Sequence, residues 1–182
     1  MEIITTPIEG LLIIKPKVFH DARGYFFEDY NERNFFEAGI RDKFVQDNQS
    51  CSIKGVIRGL HFQCPPYAQS KLVRVIQGRA LDVAVDIRKG SPTYGQHFSV
   101  ELSAENFLQF YISTGFAHGF VALEDQTIFA YKCGEFYNKA SEASIKFNDP
   151  DLNIDWKTDP SVVSDKDLVG VAFKDFDSPF VL

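Results

Sequence analysis

From residue 44 to residue 133 the chain is a succession of short runs rich in β-branched and aromatic residues, with no helical pattern between them. The runs cover 44–53, 56–63, 71–76, 79–87, 97–102, 107–113, 118–123 and 127–133, and Gln77-Gly78, Lys89-Gly90-Ser91-Pro92 and Thr114-Gly115 supply turns. Strands at a spacing of roughly 8–12 residues, without helices to cross over, close into a sandwich or barrel. In 79–87 the residues Leu81, Val83, Val85 and Ile87 share one face while Asp82 and Asp86 share the other, which predicts an antiparallel strand buried on one side.

The flanks are less regular. A first strand is expected over 11–18, a polar turn over 19–24 that ends in Gly24, and an extended aromatic run over 25–30. Asn31 is placed to cap a short helix through Phe36, with Gly39 as its stop. Beyond Asn148-Asp149-Pro150 the chain turns polar and irregular, and Ser164 is placed to cap a short helix over 165–169. No internal repeat is present. The expectation is one all-β domain over residues 1–182, with a few short helices.

Composition excludes several functions. A net charge of −6, without a run of Lys or Arg, argues against a nucleic-acid surface but leaves room for a small anionic ligand held by a few local cations. Cys51, Cys64 and Cys133 are odd in number and lack CxxC spacing, so a reducing cytoplasm is expected rather than a disulfide framework. No secretory signal is read at the N-terminus, and no stretch reaches the roughly 18 apolar residues of a membrane helix.

The run 56–63, Val-Ile-Arg-Gly-Leu-His-Phe-Gln, is apolar enough to be buried yet carries Arg58 and His61. A buried arginine wants a phosphate or carboxylate for its planar fork. Histidine is the side chain whose ordinary pKa lies closest to neutrality, hence a general-base candidate. Strict alternation puts the two on opposite faces, unless a bulge at Gly59 re-aims one of them. Lys71 shares a strand face with Val73 and Val75, so its ammonium either enters the barrel or snorkels to the rim. Tyr131 shares a face with Phe129 and Cys133, which turns its hydroxyl inward. His118 sits among aromatics and glycines, and Arg23 and Glu28 flank an aromatic patch. A metal-binding reading fails on spacing: His61-Phe62-Gln63 has no second histidine one residue away, and no carboxylate follows until Asp82.

In order along the chain, Gly24-Tyr25-Phe26-Phe27-Glu28, Gln46-Asp47-Asn48, the 56–63 run, Lys71-Leu72-Val73-Arg74-Val75, Gly115-Phe116-Ala117-His118-Gly119-Phe120, Tyr131-Lys132-Cys133 and Ser164-Asp165-Lys166-Asp167 together resemble the dTDP-4-dehydrorhamnose 3,5-epimerases, sugar-nucleotide epimerases of the rhamnose pathway. The resemblance runs from about Thr6 to about Asp167. It implies a metal-free, cofactor-free, cupin-type jelly roll (a double-stranded β-helix) that works as a homodimer on a dTDP-sugar. It implies His61 as base, Asp167 as the carboxylate that orients it, Tyr131 as the acid on the opposite side of the sugar, and Lys71 as the cation near the C4 oxygen. It further implies Arg58 and Arg23 at the diphosphate or nucleotide, Glu28, Gln46, Asn48, His118, Glu142 and Lys166 as substrate contacts, and Tyr137 as the ring stacked on thymine. Two rivals remain: an epimerase acting at C3 alone, and a cupin that binds a sugar nucleotide without turning it over.

Overall fold

The computed structural model describes residues 1–159 and 162–182. Its strands are β1 (Glu2–Thr5), β2 (Leu11–Lys15), β3 (Phe19–Asp21), β4 (Gly24–Phe26), β5 (Gln46–Ser52), β6 (Val56–Gln63), β7 (Lys71–Gln77), β8 (Arg79–Asp86), β9 (His97–Ser103), β10 (Gln109–Ile112), β11 (Phe116–Ala122), β12 (Thr127–Cys133), β13 (Glu142–Ser144) and β14 (Val162–Val163). Two short helices, α1 (Glu32–Glu37) and α2 (Asp165–Leu168), join them.

Two sheets face each other. One runs in the order β1-β2-β10-β7-β12-β5, the other β13-β6-β11-β8-β9 with β14 added alongside β6. This is the all-β sandwich expected from the strand spacing, in the jelly-roll form that the resemblance implies. The β3–β4 hairpin stands apart as a two-stranded ribbon.

Three layers of apolar packing hold the sheets. Between them lie Val73, Val75, Leu102, Phe110, Phe120 and Phe129, among others. Outside the second sheet, Ile57, Leu60, Phe62, Val83 and Val85 meet Ile145, Phe147 and Trp156, and Phe173, Phe176 and Phe180 of the C-terminal tail pack against them. Outside the first sheet, α1 lays Phe35 near Ile14, Leu72 and Tyr111.

That second outer layer corrects the reading of 79–87. β8 is buried on both faces: Leu81, Val83, Val85 and Ile87 face the tail, whereas Ala80 and Ala84 face the barrel interior beside the wholly buried Asp82. The tail covers a face that strand alternation alone assigns to solvent or core without saying which.

Other boundaries shift for local reasons. Phe107 adopts a positive φ of 57°, so the 107–113 run starts its ladder at Gln109. The expected turn 19–24 is a hairpin whose tight turn is closed by Arg23 N donating to Asp21 Oδ1 at 2.8 Å. β1 was not anticipated; it pairs with β2, which ends at Lys15 rather than at residue 18. Nor were β13, which pairs with β6 and carries Glu142, and the two-residue β14. Both helices form where their caps stand: Asn31 Oδ1 accepts from Arg33 N and Asn34 N, and Ser164 Oγ accepts from Asp167 N.

Candidate active site

The site begins with a bulge. β6 and β11 pair Arg58 with Phe120 and His61 with His118, so three steps along β6 answer two along β11. The surplus residue falls at Gly59-Leu60. Gly59 has φ +139°, and a Cβ there would lie 2.5 Å from the Gly119 Cα, so no other residue fits. Arg58 and His61 therefore line the same cavity, while Ile57, Leu60 and Phe62 turn to the outer core. One expectation is corrected here: Arg58 is exposed at the cavity wall rather than buried, its Nε donating to Ser52 Oγ at 3.2 Å. The three-residue interval swings it out toward the opening.

The cavity is about 460 Å³ and is lined by Arg58, His61, Lys71, His118, Phe120, Phe129 and Tyr131, together with Ser164, Lys166 and Asp167 from the segment carrying α2. His61 comes from the second sheet and Tyr131 from the first, so they approach the space from facing walls. The buried Asp167 carboxylate meets Nε2 of His61. Burial works to raise the Asp167 carboxyl, but the hydrogen bond and charge of His61, with Ser164 and Lys166, outweigh it and hold it below the usual range. An ionised Asp167 makes Nε2 the donor and leaves Nδ1 with the lone pair.

Lys71 points inward rather than to the rim, with Nζ 3.4 Å from Nδ1 of His118. Nε2 of His118 is held by both oxygens of Asp82, at 3.0 and 2.9 Å. Burial pushes the Lys71 ammonium below its ordinary range, against the charges of Cys133, Asp82 and Glu142, which pull it up. Burial likewise lowers His118, with Asp82 opposing. A neutral His118 whose Nε2–H faces Asp82 offers Nδ1 to the ammonium, so the three form a polar chain ending at Lys71. Asp82 escaped the sequence reading. Its one signal was a carboxylate between Ala80 and Ala84, small residues that leave room on an inner face.

Tyr131 lies between Phe129 and Cys133 on the inward face of β12, and burial is the main cause that raises its phenol pKa. β5 explains why a strand there is so polar: Gln46, Asn48, Ser50 and Ser52 alternate inward while Asp47, Gln49 and Cys51 are exposed. Asn48 Nδ2 lies 3.6 Å from Cys133 Sγ and Gln46 Nε2 donates to Asn48 Oδ1 at 3.2 Å, so both border the site.

A second cavity of about 270 Å³ shares His61, Lys71 and Tyr131 with the first and is bounded on its far side by Gln46, Asn48, Gln63, Tyr137 and Glu142. The three shared side chains thus form a waist between two lobes. Tyr137 donates its hydroxyl to Glu142 Oε2 at 3.0 Å, and Lys166 Nζ donates to Glu142 Oε1. Arg23 and Glu28 are elsewhere. Arg23 is bound to Asp21 at 2.6 Å in the β3–β4 hairpin, and Glu28 accepts from Asn31 and Asn34. Among the described residues, no three or more His, Cys, Asp or Glu side chains gather as a metal would need. No helix among them is long and apolar enough to cross a membrane.

Known proteins resemble this chain in sequence and in fold. Residues 5–175 match the family model described as dTDP-4-dehydrorhamnose 3,5-epimerase. A protein of that name from Shigella flexneri is 52% identical over 178 residues, covering 97% of this chain and 98% of its own. The crystal structure of one from Elizabethkingia anophelis superposes with a TM-score of 0.92 at 54% identity, covering 96% of this chain and 97% of that one. The dTDP-6-deoxy-D-glucose-3,5-epimerase of Legionella pneumophila, in complex with dTDP-4-keto-L-rhamnose, superposes with a TM-score of 0.93 at 49% identity, covering 97% and 94%.

Proposed function

The chain belongs to the dTDP-4-dehydrorhamnose 3,5-epimerase family, and from that premise we propose that residues 1–182 form one catalytic unit that inverts C3 and C5 of dTDP-4-dehydro-6-deoxyglucose to give dTDP-4-dehydro-rhamnose. The observation that carries this reading is the placement of His61 and Tyr131 on facing sheets of one cavity, with Lys71 bordering both lobes beside them.

The C4 ketone acidifies the hydrogens at C3 and C5. Nδ1 of His61 takes one proton, and the electron pair moves through the C–C bond to the C4 oxygen. The Lys71 ammonium stabilises that enolate; in a site shielded from water one such donor contributes about 3 kcal/mol. Tyr131 then protonates the carbon from the opposite face. The phenolate recovers its proton from solvent and the imidazolium releases its own. Asp167 keeps His61 in the required tautomer and stabilises its charged form. No redox or group-transfer step occurs, so the chemistry calls for no cofactor.

Arg58 and Lys166 in the cavity wall suit the diphosphate, and Tyr137 at the far lobe suits the thymine ring. Gln46, Asn48, His118 and Glu142 border the remaining surface. Arg23 and Glu28 do not reach this cavity, yet Arg23 lies in the turn of, and Glu28 just beyond, a hairpin that exposes Phe19, Tyr25 and Phe26. A homodimer that covers those rings and brings the hairpin to a neighbour's site accounts for both facts. Three free thiols suit a reducing cytoplasm.

Proton NMR of the substrate in heavy water is the test. Deuterium at both C3 and C5 with the rhamno product supports the reading. Deuterium at C3 alone makes the enzyme a C3 epimerase, and none makes the chain a binding protein.

A further inference from the structure

The ring of Tyr137 is 54% exposed and Phe136 beside it 61%, so neither is fixed by packing. Besides the bond from the Tyr137 hydroxyl to Glu142, their segment is held through its main chain. Gln63, itself only 4% exposed, donates from Nε2 to the carbonyls of Tyr67 at 2.7 Å and Phe136 at 3.2 Å, and its Oε1 accepts from Asn138 N at 2.7 Å. One buried amide thus grips the peptide on either side of Tyr137. Gln46 Oε1 takes the Tyr137 N–H between them at 2.9 Å, and Gln69 Nε2 donates to the Glu135 carbonyl at 2.7 Å.

We infer that Gln63 is the positioning residue of the nucleotide lobe: it holds segment 135–138 so that the exposed Tyr137 ring is preset as a stacking platform. A platform that must order on binding spends part of its contact energy on that ordering, whereas a pinned one does not. Gln63 suits the task because it stands on the same inward face of β6 as His61, two residues on, and its partner residue in β13 is Glu142, which receives the Tyr137 hydroxyl. The ring is thereby referenced to the strand that carries the base, which fixes the distance from nucleotide platform to reacting carbon. A glutamine suits the position because its amide donates twice from Nε2 and accepts at Oε1 at the end of one side chain. Glutamate at 63 would set a carboxylate against two carbonyls.

The inference rests on Tyr137 serving the thymine ring, and a double-substitution cycle separates the two ideas. Binding of dTDP is measured by calorimetry for the unsubstituted protein, Gln63→Met, Tyr137→Ala and the pair. Losing the Phe136 and Asn138 bonds corresponds to about tenfold weaker dTDP binding. The pair should bind no more than twofold worse than Tyr137→Ala, and pyrophosphate should bind Gln63→Met as it binds the unsubstituted protein. In turnover, KM should rise about tenfold with kcat within twofold, which general damage to the barrel does not produce. Wild-type affinity for dTDP in Gln63→Met, or a full tenfold loss persisting in the Tyr137→Ala background, overturns the inference and leaves the function of Tyr137 intact. Wild-type affinity in Tyr137→Ala removes both. If Gln63→Met fails to melt cooperatively, Gln63→Asn, which keeps the amide but shortens its reach to Phe136 and Asn138, replaces it; a loss of dTDP affinity that vanishes beside Tyr137→Ala supports the inference, and wild-type affinity or an undiminished loss there overturns it.

Discussion

Asp167 stands 106 residues from His61 in sequence, and its carboxylate is bonded to Nε2 of that ring. The pairing depends on α2, whose Ser164 cap fixes the Asp167 backbone before its side chain reaches across to β6. The tautomer of the His61 ring is thus set by a helix of four residues.

Asp167→Asn should therefore keep the fold but cut kcat by about 10²- to 10⁴-fold, because the amide no longer enforces the Nε2–H tautomer or stabilises the imidazolium. Circular dichroism checks the fold and steady-state kinetics the loss. Activity within threefold of the unsubstituted enzyme would mean that Asp167 is a structural acid only.

Arg58→Ala should weaken dTDP itself, a ligand with no sugar. A charge-assisted bond contributes roughly 1.5–3 kcal/mol. Arg58 is exposed, so the lower end applies and the expected loss is about tenfold. Unchanged dTDP affinity with reduced turnover would place Arg58 at the sugar instead.

The Lys71–His118–Asp82 chain predicts a pH effect. In the proposed mechanism Lys71 acts while protonated, and its folded pKa lies below the ordinary 10.5 because burial outweighs the opposing charge of Asp82 and its neighbours. Activity is thus lost as pH rises through that lowered value. Tyr131 is shifted upward, so it ionises later and does not set this limb. Asp82→Asn removes a charge that raises Lys71, and the alkaline limb of kcat/KM should move to lower pH. A limb that stays in place assigns the titration to another group.

How much of this was legible beforehand differs by residue. β6 and β12 were read with their observed bounds, because both are apolar runs between clear turn signals. Alternation left Lys71 open between the barrel interior and the rim, but Tyr131 was placed inward, since one facing sheet suffices to define inside. Asp82 was not, because alternation gives two faces and cannot say that both are covered. The His61–Asp167 contact is a product of tertiary closure, and only the resemblance to a family named Asp167. Gln63 was quoted in the motif without a role, since its partners are main-chain atoms that carry no sequence signal.

Gly59 is where fold and function meet. Gly59→Ala forces a side chain into a φ of +139° and toward the Gly119 Cα. Backbone strain of this kind costs about 1–3 kcal/mol, and the clash adds to it. A loss of about 3 kcal/mol corresponds to roughly 6–12 °C in Tm for a chain of this size. The variant should also lose activity below its melting temperature, because relaxing the bulge turns Arg58 and His61 to opposite faces. Thermal melting and assays at low temperature measure the two effects. A destabilised variant with full low-temperature activity would show that the bulge serves stability alone.

The last prediction separates His61 from Tyr131. A base on one face can remove a proton, exchange it with solvent and return it to the same face, which washes in deuterium without inverting the carbon. Inversion needs delivery from the facing wall, where the Tyr131 hydroxyl stands on β12 beside Phe129 and above Cys133. Tyr131→Phe removes that donor and keeps the ring, so the stacked Phe120–Phe129 pair next to it, with centroids 3.9 Å apart, should be undisturbed and stability little changed. The variant should still exchange C3 or C5 hydrogen with heavy water while forming little epimer, and His61→Ala should do neither. Both quantities are read in one tube by NMR. Epimer formed at the unsubstituted rate by Tyr131→Phe makes water or another group the acid. Exchange surviving in His61→Ala means the proton leaves to a different base, and the facing-wall mechanism then fails at its first step.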